Sequence, residues 1–262
     1  MPDSGLVSES EIRAFRREGV VTVDFVKVIG PKLYEGLCKA FAEVERKAAT
    51  TPGATRLGGV DLRFTHPEID AVARSPRLGE LAARLAGAEH MRIWLDAVEA
   101  LLPGFPGTSV HQDLPNYPFD RRGLLTVIVA IDEVTVDMGV NQFLARSHRL
   151  GPFGCRPVYD PARSRESPVK PREDFLRLLR DDDRELVGEV ICHPQHAGEA
   201  VIHDGLTFHG SGLNDSNRVY RRASFVYFPA DTKYTCVPYR SCDGLGLTPF
   251  QPLDHERFPI VA

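Results

Sequence analysis

Paired cysteines, long apolar runs and an excess of positive charge are all missing from this sequence, and each absence narrows what the chain can be. The five cysteines (Cys38, Cys155, Cys192, Cys236 and Cys242) are odd in number and form no Cys-x-x-Cys pair. That pattern argues against a zinc ribbon or a disulfide framework and suits a reducing cytoplasm. No apolar stretch approaches the length of a membrane span, and "MPDSGLVSESEIRAFRREG" lacks the charged-then-apolar layout of a signal peptide. A cytoplasmic protein is therefore expected. The formal charge is −4 and the arginines are dispersed, so there is no electrostatic footprint for nucleic acid or an anionic membrane. Internal repeats and low-complexity tracts are also lacking.

What is present is ordinary globular material: 42% hydrophobic and 26% charged residues, in 262 residues that can bury a sizeable core. Ser8 and Glu11 are spaced as a capping box ahead of "IRAFRREG", with Gly19 placed to end that helix. "VVTVDFV" reads as a short strand. Leu33, Leu37, Phe41 and Val44 recur at helical spacing in "GPKLYEGLCKAFAEVERKA", and a second helical pair covers "PEIDAVARSP" and "RLGELAARLAG". From about residue 91 the texture changes to β-branched and aromatic runs bounded by Gly and Pro, among them "LLTVIVAID", "EAVIHDG" and "RASFVYFPAD". The expectation is a single domain over 1–262. A mainly helical buttress (1–90) packs on a β core (91–262), and a lid-like insertion at about 151–183 carries one helix, "REDFLRLLRDD".

The chemistry-bearing pattern begins at "HQDLPNYPF". On a strand, His111 and Asp113 project from one face. Two histidines and one carboxylate make a facial metal triad that leaves coordination positions open. His-x-Asp alone is weak, and a second stretch strengthens it: "GEAVIHDGLTFHGSGLNDSNRVYRRASF". His209 is followed there by a Gly/Ser/Asn turn and paired arginines, and a planar guanidinium suits the far carboxylate of an oxoacid. His203 competes as the distal ligand, although its bland reading is a strand histidine satisfied by a neighbour. His148, His193 and His196 read as structural or surface histidines, and Gln112 should face away from the ligands. Asn141 and Gln142 read as pinning a turn, Trp94, Phe143, Phe225 and Tyr227 as core, and Tyr117 and Phe119 as packing or a substrate wall. "RDDDRE" reads as a solvated helix end.

"HQDLPNYPF", "MGVNQFLARSHRLG" and "GEAVIHDGLTFHGSGLNDSNRVYRRAS", with the opening "LVSESEIRAFRREGVVTVDFV", resemble the phytanoyl-CoA dioxygenase family of Fe(II)/2-oxoglutarate oxygenases. The resemblance implies a distorted double-stranded β-helix, a cupin-like jelly roll, with an N-terminal helical layer. It implies His111, Asp113 and His209 as iron ligands, with Arg221 holding the 2-oxoglutarate C5 carboxylate and Ser211 as its hydroxyl partner. Aligning on "RRAS" favours Arg221, but only one of Arg221 and Arg222 can point inward, and Arg218 is a remoter candidate. Two departures stand out. The gap from His209 to the arginine pair is one residue longer than the family pattern. Leu101 or Leu102 stands where the family often has a basic residue before Pro-Gly. Asp113 is retained where related halogenases have a small residue, which argues against halogenation.

The implied activity is hydroxylation of an unactivated C–H with O2 and 2-oxoglutarate, releasing succinate and CO2. A small-molecule natural product, as in antibiotic biosynthesis, is the expected substrate, with no nucleic-acid or membrane partner. Epimerisation, cyclisation, desaturation or an acyl-CoA substrate are alternatives within the same chemistry. A cupin-like metal protein without 2-oxoglutarate, an inactive binding module and a scaffold protein are alternatives outside it.

Overall fold

A computed structural model describes residues 5–48, 54–153 and 170–261. The capping box forms at the start of α1 (Glu9–Glu18): the Glu11 N–H donates to the Ser8 hydroxyl, and the Ser8 N–H donates to the Glu11 carboxylate at 2.7 Å. Gly19 ends the helix in the left-handed region (φ 80°), where its N–H donates to the Phe15 carbonyl. β1 (Val20–Asp24) stops short of the full apolar run "VVTVDFV". The Asp24 carboxylate accepts from the Lys27 N–H and turns the chain into the short helix α2 (Phe25–Ile29). α3 (Pro31–Ala48) buries Leu37, Ala40, Phe41 and Val44 along one stripe. α4 (Pro67–Ala73) and α5 (Pro76–Ala86) are the expected second helical pair, each entered at proline.

The remaining strands are β2 (Arg56–Val60), β3 (Met91–Leu101), β4 (Thr108–His111), β5 (Leu125–Ala130), β6 (Asn141–Leu144), β7 (Val190–Cys192), β8 (Glu199–Asp204), β9 (His209–Ser211) and β10 (Tyr220–Pro229). They form a six-stranded sheet in the order β1-β8-β5-β10-β3-β2 and a four-stranded sheet in the order β4-β9-β6-β7, every pairing antiparallel. This is the cupin-like jelly roll. The N-terminal region, expected to be mainly helical with one short strand, supplies both edge strands of the large sheet besides its helices.

Register decides which side chains meet which layer. Arg222, Ser224 and Val226 pair with Ala130, Ile128 and Thr126, and Thr126 pairs in turn with His203. These residues share the face turned toward the small sheet. The alternate residues Ala223, Phe225 and Tyr227 face the helices. Phe25 stacks on Phe225 with ring centroids 6.4 Å apart, and the Tyr227 hydroxyl donates to the Ala73 carbonyl. The main core lies in that interface. Trp94, Phe143, Phe225 and Tyr227 are all buried, as expected of core residues.

Of the expected lid, residues 154–169 lie outside the described part. The following helix, α6 (Pro171–Leu178), is docked: Phe175 is fully buried against Val110, Leu144, Leu179 and Phe208. "RDDDRE" begins a second short helix, α7 (Asp181–Leu186), with no buried residue. No helix among the described residues is long and apolar enough to cross a membrane.

Candidate metal centre

Three separate elements deliver the three expected ligands. His111 is the last residue of β4, and His209 is the first of β9, its direct partner across the small sheet. The strand expected to carry both His111 and Asp113 ends one residue before Gln112. Asp113 instead has helical dihedrals (φ −75°, ψ −49°) and opens a short turn, Leu114–Asn116. Pro115 within that turn offers no N–H to a ladder, and the Leu114 N–H is already taken by the Gly205 carbonyl. Gln112 points away from the ligands, as expected, and its amide bridges the Gly151 and Leu206 carbonyls while accepting from the Phe153 N–H.

The ligand atoms of His111, Asp113 and His209 all lie within 4.8 Å of one another. Asp113 Oδ1 is 3.4 Å from His111 Nε2 and 3.7 Å from His209 Nε2. Each histidine donates its Nδ1–H to a carbonyl two residues back, His111 to Ser109 at 2.8 Å and His209 to Thr207 at 3.0 Å. That fixes the tautomer and leaves each Nε2 as a bare donor atom facing the carboxylate. Burial, with His203 and His111 beside it, holds the His209 imidazole well below the usual histidine range. Burial pushes the Asp113 carboxyl up, but the histidines around it, His209 foremost, outweigh it and keep it well below the usual carboxylate range. Neutral imidazoles and an ionised carboxylate are the donor set a divalent cation requires, so these residues fit one.

His203 is on the same inner face, fully buried, with its ring centroid 4.2 Å from that of His209. Its Nδ1–H donates to the Asp204 carbonyl at 3.2 Å, and its Nε2 has no hydrogen-bond partner. Only part of the bland reading holds: one nitrogen is satisfied and the other is not. Phe143 packs on both rings.

The arginine pair divides between the two sides of β10. Arg221, the expected cosubstrate residue, turns to the helical side, where Glu45 accepts from Nε and Nη2 and Asp132 from Nη1. Arg222 is the inward one, 9% exposed. Its Nε and Nη2 meet Glu99 Oε2 at 2.8 and 2.7 Å, and its Nη1 donates to Asn141 Oδ1 at 3.0 Å. The Arg221 expectation is thus corrected by strand parity. Arg218 is exposed and donates to the Glu133 carbonyl. Ser211 is fully buried, opposite Asn141 in the register, and its hydroxyl accepts from the Thr108 N–H at 2.9 Å. Asn141 therefore serves the inner face instead of pinning a turn.

Glu99 and Thr126 escaped the sequence reading. Glu99 is fully desolvated, yet Arg222 and Arg56 hold its carboxyl below the usual range. The only signal for it was its place in "DAVEALL", a second acidic residue, after Asp96, in a largely apolar strand. Thr126 donates to Asp113 Oδ2 at 2.6 Å and sits in "LLTVIVA", where a threonine reads as strand filler. Tyr117 and Phe119 pack edge-on to Trp94 with centroids at 5.6 and 4.8 Å. His148 reaches the Arg16 carbonyl, and His193 and His196 are exposed.

Comparison with known proteins gives a consistent picture. The family model described as "Phytanoyl-CoA dioxygenase (PhyH)" matches residues 3–223. A curated relative, "Dioxygenase hkm4" of Aspergillus hancockii, is 26% identical over 166 residues, or 61% of this chain. The match spans only 40% of that longer protein. Among solved structures, the non-heme alpha-ketoglutarate-dependent carbocyclase SnoK from nogalamycin biosynthesis superposes with a TM-score of 0.74 at 24% identity, covering 98% of this chain and 97% of its own. The epimerase SnoN, in complex with Fe3+, alpha-ketoglutarate and nogalamycin RO, gives 0.71 at 23% identity, covering 97% and 98%.

Proposed function

Because the chain belongs to the phytanoyl-CoA dioxygenase family, we propose that it is an Fe(II)- and 2-oxoglutarate-dependent oxygenase that hydroxylates a small-molecule natural product. The observation that carries this is the convergence of two bare Nε2 atoms and one carboxylate oxygen, with a buried guanidinium on the same inner face. His111, Asp113 and His209 hold the iron, which when bound supplies the coupling of O2 reduction to 2-oxoglutarate decarboxylation and C–H oxidation.

The protein's own work is positioning. The Ser109 and Thr207 carbonyls keep both imidazoles in the Nδ1–H tautomer, so each ligand enters preset. Arg222 lies four residues along β10 from Val226, which is level with Thr126; that is about 13 Å of strand. In this reading a dicarboxylate lies along that run, with one end at the metal and the guanidinium reaching toward the other. Ser211, two residues beyond His209 on the same face, lines the path between them. A natural-product substrate is favoured over an acyl-CoA because the formal charge is −4 and the arginines are dispersed along the sequence, and because SnoK and SnoN belong to nogalamycin biosynthesis.

Anaerobic addition of Fe(II) and then 2-oxoglutarate tests the reading. A visible charge-transfer band is expected in the wild type and absent in His209→Ala. Arg222→Lys keeps a cation beside Glu99 but loses the fork, so the band should need about 10- to 100-fold more 2-oxoglutarate. A second reading has its own observation: Arg222 is already engaged by Glu99 and Asn141, as it would be in a metal protein that binds no oxoacid. Iron binding with no band at any 2-oxoglutarate concentration would favour it.

A further inference from the structure

The two oxygens of Asp113 have unlike surroundings. Oδ1 faces the two ligand histidines, at 3.4 and 3.7 Å. Oδ2 accepts the Thr126 hydroxyl proton at 2.6 Å. The other group near Oδ2 is His203 Nε2, at 3.7 Å. With Nδ1–H committed to the Asp204 carbonyl, the neutral His203 ring presents a lone pair there and no proton. Thr126 is therefore the hydrogen-bond donor that holds Oδ2.

This matters because no ladder of the small sheet orients Asp113. The residue lies past the end of β4, in a turn, so no ladder fixes its side chain as the strand fixes His111. Thr126 is in a different position. It is 6% exposed, in the middle of the large sheet, paired on one side with His203 and on the other with Val226. Its χ1 is restricted by β-branching. A central strand of the large sheet thus reaches across the barrel to hold a residue carried in the turn after β4.

We propose that Thr126 is a positioning residue that makes Asp113 a one-oxygen metal ligand. This rests on the reading of His111, Asp113 and His209 as a metal site. A one-oxygen carboxylate leaves as many open positions as a chelating oxoacid and dioxygen together need. A carboxylate free to swing can close both oxygens on the metal and fill one of those positions. Holding Oδ2 to the barrel wall prevents that and presents Oδ1 preformed.

The test is Co(II) titration of the full-length apo-protein, followed by the cobalt absorption bands and by calorimetry, for wild type, Thr126→Val and Thr126→Ser. Removing the hydroxyl at constant shape should weaken Co(II) binding about 10- to 100-fold, with the apo-protein's circular dichroism unchanged. Thr126→Ser should restore affinity to near the wild-type value. Equal affinity in the valine variant overturns the inference and leaves the metal site standing. A weakened valine variant that serine fails to rescue also overturns it, because packing and not the hydroxyl is then responsible. No Co(II) binding by the wild type defeats the metal-site reading itself. Should Thr126→Val not fold, Thr126→Ala carries the same comparison without the added methyl.

Discussion

Arg221 and Arg222 are neighbours in the chain, yet they answer to different physics. Arg221 is a third exposed and bridges Glu45 and Asp132, so its loss removes screened surface pairs. Arg221→Ala should cost about 0.2–1 kcal/mol in a denaturant titration and leave 2-oxoglutarate binding intact. Arg222→Ala leaves the buried Glu99 with Arg56 alone and should cost about 3 kcal/mol, a far larger fall in the denaturant midpoint. The chain alone shows two arginines in a row, one in and one out. Which one faces in depends on register with β5 and β3, and that is set by residues a hundred positions away. His111 and Asp113 were legible as a candidate metal pair from their His-x-Asp spacing, and His209 from the turn and paired arginines that follow it. Thr126 was not, because a threonine in a run of valines and isoleucines serves equally well as strand filler.

At the scale of elements, periodicity carried the reading. The amphipathic stripe of α3, the capping box of α1 and the proline-led α4 and α5 formed where their patterns lay. β2 did not announce itself, because Gly58 and Gly59 count against a strand interior. Its pairing explains them: Gly58 has φ 115°, and a Cβ there would lie 1.9 Å from the Val98 carbonyl oxygen. Close backbone approach, and not a turn, is what the glycine permits. Gly58→Ala should therefore detach this edge from β3, destabilising the protein by more than about 1 kcal/mol in thermal unfolding. An unchanged melting temperature would show that the edge contributes nothing. Strand ends were the least legible features: Asp24 ends β1 by capping the next helix, and β4 ends ahead of the turn that Asp113 opens, neither of which apolar patterning records.

For the whole molecule, the buried histidines set a dependence on pH. His203 and His209 both titrate below the usual imidazole value, from burial in the first place; Asp113 opposes this without overcoming it at His203, and the neighbouring histidines add to it at His209. As pH falls through about 6.5, the unfolded chain takes up protons that the folded state refuses, so stability falls with acidification. Asp113 acts in the same direction at lower pH, its contribution present above about pH 4 and lost as pH falls through its depressed folded value. The apo-protein should thus melt at a lower temperature near pH 5.5 than near pH 7.5, and a flat profile would contradict this electrostatic picture. The arrangement of the edges has a consequence in time as well. β1, complete at Asp24, finds its sheet partner in β8, which ends at Asp204. At about 5–20 residues per second of synthesis, that strand waits on the order of ten seconds or more for its neighbour. His209, the third member of the candidate metal site, follows β8 in the chain, so that site cannot assemble during synthesis before β9 has been made.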